Sequence, residues 1–499
     1  MERKEQEFLA YLKEISSIEQ AVALLAWDAR TLMPEGSSDF RSESIGYLSG
    51  LQFEMKQSGK MKQFIQAFEG KENTLGEVAR CSLAEVKKNY ELNSKLPKEE
   101  LEAYIKASNT SENLWGTVRA NDDFATFEPH LDTLIQFNKK FIDYWRKDEK
   151  TPYDVLLNQY EPGMTVEILD DVFSKLRAGI IALMDKIKTQ GTPPRTDFIE
   201  QYMSKEDQRA FSEAVIKKMG YRFEEGRLDD TIHPFMQSVN RADARITTRW
   251  NENFFKMAIF GIIHEAGHGI YEQNVSPKWD YTPVSGGVSM GIHESQSLFH
   301  EIVIGSNRSF WQSNYDLLKK HAHGNLDEID FDTFYRGLNE TKASLIRVES
   351  DTLTYPLHII IRYEIEKMIF NGEVATKDLP QIWNDKYEEY LGIRPANNRE
   401  GILQDIHWAG GSFGYFPSYA LGFMYAAQLK ASMEKEMDIS AILATDDYHQ
   451  IREWLTDKIH QYGKSKTPSE LMMAATGEVL NPQHLLDLQA KIYGDVYQF

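Results

Sequence analysis

Apolar residues recur at helical spacing over most of this 499-residue chain, and this pattern constrains the fold more than any other feature. In a helix, residues three and four apart share one face, so the spacing predicts amphipathic helices with one buried side. Clear examples are FLAYLKEISSIEQAVALLAW (8–27), LDTLIQFNKKFIDYW (131–145) and VEILDDVFSKLRAGIIALMDKI (166–187). Strand-like alternation is scarce, and its best candidates are RITTRW (245–250) and GGVSMG (286–291). The sequence therefore predicts a mainly α fold with a very small β element.

Residues that break helices gather in short clusters, which lie at 33–39, 190–197, 274–287 and 394–400. None of these clusters is long or low in complexity, and the chain contains no internal repeat. We interpret them as turns within one body, so that residues 1–499 form a single unit with a large core. Within it we expect an approximate division into an N-terminal helical part, 1–195, and a catalytic part, 196–499.

Composition and charge exclude several classes of function. The formal net charge of −20 argues against nucleic acids and anionic membranes as partners, because both attract clustered Lys and Arg. No segment approaches the roughly 20 apolar residues that span a bilayer, and the N-terminal segment lacks the features of a secretory signal. Cys81 is the single cysteine, which fits a reducing compartment. The sequence thus predicts a soluble, cytoplasmic protein.

The strongest chemical motif is a His-Glu-x-x-His sequence within FFKMAIFGIIHEAGHGIYEQ (254–273). Residues at positions i and i+4 stack on one helix face, so His264 and His268 can bind one tetrahedral zinc ion. Glu265 projects beside them, where a carboxylate can take a proton from the water molecule that the metal activates. The motif therefore predicts a zinc peptidase in which His264 and His268 bind the metal and Glu265 is the general base.

A hydrolytic zinc site needs a third protein ligand and one open position. No third His follows His268 at the spacing that metzincins use. We favour Glu294, because it follows a Gly- and Pro-rich return loop and lies at the start of an apolar helical segment. Spacing alone leaves three alternatives open, namely Glu272, His300 and Glu301.

Five further motifs accompany the zinc motif in a fixed order along the chain. They are His233-Pro234-Phe235, Asp243-Ala244-Arg245-Ile246-Thr247, His293-Glu294-Ser295-Gln296, Ile346-Arg347-Val348-Glu349-Ser350-Asp351 and Gly401-Ile402-Leu403-Gln404-Asp405-Ile406-His407-Trp408. Through these motifs the whole chain resembles the carboxypeptidase Taq family of zinc metallocarboxypeptidases. One departure is Ser350, at a place where the family usually has Ala; this change is small.

The resemblance implies an almost entirely helical, saddle-like fold with a deep central groove, and a homodimer. It also implies a zinc-dependent enzyme that releases amino acids one at a time from the free C-termini of peptides, with broad specificity. Glu294 is implied as the third ligand. One zinc ion per chain is expected, with cobalt as an alternative metal.

Peptide hydrolysis creates an oxyanion, so hydrogen-bond donors are expected near the metal. Our candidates are His407, in QDIHW, and Tyr419, in GYFPSYALG. Each also has a purely structural interpretation, because His407 could be a core histidine held by Asp405 and Tyr419 is one of 24 tyrosines.

A carboxypeptidase must also bind a terminal carboxylate, for which the planar donor fork of Arg is suited. Arg347 is the leading candidate, in a segment whose apolar pattern predicts a buried helix. The structural alternative is an ion pair with Glu349 or Asp351. Arg245 is the second candidate, with Asp243 as the residue that would orient it.

Two more motif residues are predicted to take part in substrate binding. His233 precedes Pro-Phe and contacts either the substrate or a metal ligand; the sequence does not distinguish these roles. Gln296 lies two residues after Glu294 in the same motif.

Two other functions compete with the carboxypeptidase prediction. A zinc-dependent oligoendopeptidase would share the helical groove and the metal site but would need no carboxylate anchor. A catalytically inactive binding protein would keep the groove alone, and the intact His-Glu-x-x-His motif argues against it.

Overall fold

The computed structural model describes residues 2–499, and most of them are helical. The first ten helices are α1 (Glu2–Thr31), α2 (Ser38–Lys56), α3 (Gly59–Phe68), α4 (Glu77–Ser94), α5 (Lys98–Ala120), α6 (Phe124–Trp145), α7 (Pro152–Tyr160), α8 (Val166–Gln190), α9 (Lys205–Met219) and α10 (Phe255–Gln273). They are followed by α11 (Met290–Leu298), α12 (Arg308–His321), α13 (Phe331–Leu338), α14 (Tyr355–Phe370), α15 (Leu379–Leu391), α16 (Pro417–Met433), α17 (Ile439–Leu443), α18 (His449–Lys458), α19 (Pro468–Thr476) and α20 (Gln483–Tyr497). The predicted mainly α fold is confirmed.

One small sheet interrupts the helices, and it consists of β1 (Leu228–Asp230), β2 (Met236–Asn240) and β3 (Asp243–Thr248). The central strand β3 pairs in parallel with β1 and antiparallel with β2, which leaves β2 at an edge. The strand predicted over 245–250 is confirmed for the four residues up to Thr248.

The strand predicted over 286–291 is wrong. Ser289 is instead the N-cap of α11, and its side chain accepts a hydrogen bond from the backbone N–H of Ile292 at 3.1 Å. A Ser in this position satisfies a helix N–H that has no partner within the helix. The alternation that resembled a strand therefore belongs to a turn and a helix start.

Helix α10, which carries the His-Glu-x-x-His motif, lies at the centre of the larger core. The helix packs against the sheet and α11, and its side chains at Ile259, Ile262 and Ile270 are fully buried. Close packing on the α11 side depends on Gly267. A Cβ atom there would lie 2.6 Å from the backbone oxygen of Gln296 and 2.6 Å from the Cα atom of Ser297.

Two clusters of buried apolar side chains stabilise the fold. The larger one extends from Val118 to Tyr497, and the smaller one joins α1, α3 and α4 between Phe8 and Val86. The division near residue 195 stays a prediction. Among residues 2–499, no helix combines the length and apolar character needed to cross a membrane.

The contact at Gly267 generates a stability prediction. In Gly267→Ala, the new methyl group meets backbone atoms that cannot move cheaply, and such overpacking costs about 1–3 kcal/mol. This cost exceeds the helix propensity gained by Ala, so thermal unfolding of the metal-free protein is expected at a lower temperature. Gly261→Ala on the same helix is the control, because a Cβ atom there has no neighbour within 4 Å. Equal melting temperatures for the two variants would contradict the packing role of Gly267.

Candidate metal centre and active site

The four residues of the predicted metal and base site line one cavity of about 740 Å³. His264, Glu265 and His268 reach it from α10, and Glu294 reaches it from α11. The loop before α14 and the start of α16 supply the opposite wall, and strand β2 contributes to the rim.

Three of these side chains converge as a candidate metal site. The Nε2 atom of His264 lies 3.8 Å from Oε1 of Glu294, and Nε2 of His268 lies 3.6 Å from Oε2. Two ligands at zinc bond lengths in a tetrahedron are separated by about 3.3 Å. Two imidazoles and one carboxylate are also a donor set that catalytic zinc uses. The residues therefore fit a zinc ion.

Helix packing fixes the position of the Glu294 side chain. Helix α16 crosses α11 at Gly422, where a Cβ atom would lie 2.6 Å from Cγ of Glu294 and 2.7 Å from its Cβ. At the start of α11, the buried carboxylate of Glu161 accepts hydrogen bonds from the backbone N–H of Gly291 and from the Tyr425 hydroxyl, both at 3.0 Å. The helix is thus held at its N-terminus and along one side.

The three alternative ligands have other partners. Oε2 of Glu301 lies 2.7 Å from Nδ1 of His264, on the side of the ring that faces away from the cluster. Oε1 of Glu272 lies 3.0 Å from Nε2 of His293. His300 is buried, and its Nδ1 lies 2.7 Å from the backbone oxygen of Gln296. Within the described part of the chain, the structure brings Glu294 alone of the four candidates together with both histidines.

Buried carboxylates give the site a strong negative potential. Burial raises the pKa of Glu265 to about 7. Burial alone would lower the pKa of His264, but the carboxylates of Glu294 and Glu301 raise it to about 10. A bound cation would neutralise this concentration of negative charge.

Arg347 lies in the wall of the cavity, and its side chain is 7% exposed. Its Nε and Nη2 atoms donate to the carboxylate of Asp405, and Nη1 donates to the Tyr355 hydroxyl at 2.6 Å. A guanidinium has five N–H donors, so two remain for a ligand. Burial alone would raise the pKa of Asp405, but Arg347 and Arg362 lower it well below its usual range.

One local prediction about Arg347 is wrong, and its structural alternative is not found. The residue lies in a 3₁₀ turn, Arg347–Glu349, before α14 begins at Tyr355. Its ionic partner is Asp405, 58 residues away in the sequence, rather than Glu349 or Asp351. Asp351 instead accepts backbone hydrogen bonds just before α14, and Glu349 is exposed.

His407 and Tyr419 are adjacent, and Tyr419 lines the cavity. Nε2 of His407 lies 3.2 Å from the Tyr419 hydroxyl, and His407 itself does not line the cavity. Burial lowers the pKa of His407 to about 4, so the ring is neutral near pH 7. The structure therefore places Tyr419 at the cavity and His407 behind it.

Arg245 and Asp243, which are predicted to take part in substrate binding, do not line the cavity. They form a bidentate ion pair at 2.7 and 2.8 Å, and the guanidinium lies over the Trp27 ring of α1 at 5.6 Å. The reason is strand geometry, because alternate residues of β3 point to opposite faces of the sheet. Ala244 and Ile246 face the core, so Arg245 and Asp243 face α1.

His233 and Gln296 also lie outside the cavity lining. His233 is exposed before β2, whereas the next residue, Pro234, reaches the rim. Gln296 is fully buried, and its Oε1 atom lies 2.8 Å from Nε2 of His460. Two residues along a helix turn the side chain through about 200°, so Gln296 points away from the cavity that Glu294 faces.

Sequence reasoning assigned no role to several residues that contact the candidate site. They are His293, Tyr355 and Tyr415, and all three line the cavity. His293 could have been suspected, because it precedes Glu294 and is a second imidazole close to the metal motif. The tyrosines carry no local signal that separates them from the other tyrosines of the chain.

The buried ion pair at Arg347 generates a second prediction. Asp405→Asn removes the negative charge shared by two buried guanidinium groups, and breaking such a pair costs about 3 kcal/mol or more. We expect a markedly lower melting temperature. The control is Asp385→Asn, which removes an exposed ion pair with Arg394 and should leave the melting temperature nearly unchanged. Equal stability of both variants and the unmodified protein would contradict a structural role for Asp405.

Comparisons with known proteins show the family of the chain. A family model described as carboxypeptidase Taq (M32) metallopeptidase matches residues 7–493. Carboxypeptidase 1 from Bacillus subtilis (strain 168) is 47% identical over 494 residues, which covers 99% of this chain and 98% of the relative. Thermostable carboxypeptidase 1 from Thermus thermophilus is 33% identical over 504 residues, which covers 99% and 98%.

Solved structures show the same relationship. The crystal structure of the M32 carboxypeptidase from Deinococcus radiodurans R1 superimposes with a TM-score of 0.96 at 32% identity, and all of each chain is covered. These matches confirm the resemblance that the ordered motifs indicated. The chain belongs to the carboxypeptidase Taq (M32) family of metallopeptidases.

Proposed function

We propose that this chain is a zinc-dependent carboxypeptidase that releases amino acids one at a time from the free C-termini of peptides, with broad specificity. Family membership makes it a metallocarboxypeptidase that acts on peptides. The identity of the metal as zinc, the stepwise release of amino acids and the roles of individual residues are proposed here in addition to the family activity. One observation carries the proposal, namely that a metal-binding cluster and a buried Arg line the same cavity.

In this proposal His264, His268 and Glu294 hold the metal. When bound, zinc supplies Lewis acidity and lowers the pKa of a water molecule towards about 7. Cobalt is an alternative metal for the same donor set. The relatives matched along the full length of the chain are named carboxypeptidases, and this gives no support to the oligoendopeptidase alternative.

Glu265 is the proposed general base. Its carboxylate takes the proton of the attacking water and delivers it to the departing amine. Its position supports this role, because it directly follows His264 in the sequence and lines the same cavity as both histidines without belonging to the metal-binding cluster.

Tyr419 is the proposed donor to the oxyanion. In this arrangement His407 donates its Nε2–H to the Tyr419 hydroxyl, so that the hydroxyl proton remains free for the substrate. The buried Nδ1 atom of His407, which has no hydrogen-bond partner among the described residues, then carries the lone pair.

Arg347 is the proposed anchor of the terminal carboxylate. Asp405 and Tyr355 fix the plane of its guanidinium, and two N–H donors remain unused. A buried cationic partner is needed, because a substrate carboxylate placed in the cavity without one would cost several kcal/mol.

Several wider features complete the proposal. We propose a homodimer on the strength of the family resemblance, and a cytoplasmic location on the strength of the single cysteine and the acidic composition. The proposed partners are peptides, and neither nucleic acids nor membranes. The division into a helical part, 1–195, and a catalytic part, 196–499, also remains a proposal.

Amidated substrates test the proposed function directly. Amidating the C-terminus of a peptide should lower kcat/KM about a hundredfold, because the two free N–H donors of Arg347 then lose their carboxylate acceptor. Arg347→Met should lower activity on free peptides and narrow this discrimination to a few-fold, while Asp405 keeps its pairing with Arg362. The measurement is kcat/KM for paired free and amidated peptides, with products identified by mass analysis.

The control variant is Arg245→Met, which removes the guanidinium that faces α1. This variant should keep the full difference in kcat/KM between free and amidated peptides. Loss of discrimination in this variant, with retention in Arg347→Met, would make Arg245 the anchor. Equal cleavage of free and amidated peptides at internal bonds by the unmodified enzyme would favour the oligoendopeptidase.

A further inference from the structure

An unusual chain of hydrogen bonds leads from His268 into the protein. Nδ1 of His268 lies 2.6 Å from Nδ1 of His293, and Nε2 of His293 lies 3.0 Å from Oε1 of Glu272. The same carboxylate oxygen accepts the backbone N–H of Gly287 at 3.0 Å. We propose that His293 and Glu272 are positioning residues that hold His268 in the tautomer and orientation required for metal binding. This inference rests on the proposed ligand set.

The carboxylate of Glu272 lies at the end of this series of hydrogen bonds, and it fixes the direction of each of them. An ionised carboxylate can only accept, so Nε2 of His293 carries a hydrogen and donates it to Glu272. The Nδ1 atom of a neutral His293 then carries a lone pair, and it accepts the Nδ1–H of His268. As a result, Nε2 of His268 has its lone pair free, at the atom that lies 3.6 Å from Glu294.

The opposite order would block the metal site. If His293 carried a hydrogen on Nδ1, it would face His268 as a donor, and His268 would have to accept at Nδ1. The hydrogen of His268 would then lie on Nε2, where the metal must bind. The chain from Glu272 therefore selects the one tautomer of His268 that can act as a ligand.

The backbone near Gly287 is shaped to support this chain. A Cβ atom at Gly287 would lie 2.4 Å from Cδ2 of His293 and 3.0 Å from Cε1 of Tyr271. Glycine thus allows the backbone N–H to reach Glu272 while the His293 ring remains in place. That ring is packed between His268 and Tyr271, with centroid distances of 4.6 and 5.2 Å.

The other proposed histidine ligand, His264, shows a simpler arrangement than the His268–His293–Glu272 series, which we call the relay. His264 contacts a carboxylate directly, because Glu301 lies 2.7 Å from its Nδ1. Glu272 lies one helical turn beyond His268 on the same face of α10, and it contacts His293 instead of His268. Metal-binding histidines usually donate their second ring N–H to a carboxylate, a carbonyl or water. At His268 the acceptor is the imidazole of His293, which in turn donates to the carboxylate of Glu272.

Zinc affinity of the full-length protein, measured by competition with a chromophoric chelator, tests the inference. His293→Phe keeps a ring and removes both nitrogen atoms, and it should weaken zinc binding about 10- to 100-fold. Glu272→Leu should weaken it about tenfold. Glu272→Gln should stay within about threefold of the unmodified protein, because the Gly287 N–H selects the amide oxygen and so preserves the acceptor for His293.

Two reference variants make every result decisive. His358→Phe replaces a buried histidine whose Nδ1 contacts Tyr387, and it should leave zinc affinity unchanged. His268→Ala should lose zinc binding. If His268→Ala binds zinc normally, the proposed ligand set fails and the relay fails with it.

If His268→Ala loses zinc while His293→Phe and Glu272→Leu retain normal affinity, the relay alone is overturned. If Glu272→Gln binds as weakly as Glu272→Leu, the charge of Glu272 matters rather than the hydrogen-bond direction, and this too overturns the inference. Thermal unfolding of the metal-free variants shows whether a loss of affinity reflects a loss of folding; weak zinc binding that tracks instability alone counts against the relay.

Discussion

The candidate site depends on the close packing of α11 between α10 and α16. Side chains on the facing surfaces are absent at Gly267 and Gly422, so the backbone of α11 and the stem of Glu294 approach both neighbours closely. This packing places the carboxylate of Glu294 beside two histidines that are themselves fixed by the α10 helix repeat. The buried carboxylate of Glu161 holds the start of α11 through the backbone N–H of Gly291.

Around this packing, each of three key groups in the candidate site has a hydrogen-bonded partner. Glu301 contacts His264, the His293–Glu272 pair contacts His268, and Asp405 contacts Arg347. Buried charges are costly unless they are paired and hydrogen-bonded, and pairs of this kind gain more in specificity of position than in net stability. The groups of the candidate site are accordingly held in position by contacts within the protein.

The sequence was sufficient where function depends on local spacing. The His264 and His268 pair follows from one helical turn, and the mainly α fold follows from apolar periodicity. Choosing Glu294 over Glu272 and Glu301 needed the ordered motifs, because all three are acidic residues near the same helices. Glu272 and Glu301 are held by hydrogen bonds to histidines that are distant in the sequence, and residue spacing does not predict such contacts. The pairing of Arg347 with Asp405, and the outward orientation of Arg245, were missed for the same reason.

The most direct test of the central claim is the zinc content of two purified variants after dialysis against a mild chelator. In the proposed arrangement Glu294 binds the metal, and Glu265 accepts the proton of the attacking water. Glu265→Gln should therefore keep roughly one zinc ion per chain while losing turnover, and Glu294→Ala should lose most of its zinc. Full zinc content in Glu294→Ala, or loss of zinc from Glu265→Gln, would contradict the proposed assignment of the two carboxylates.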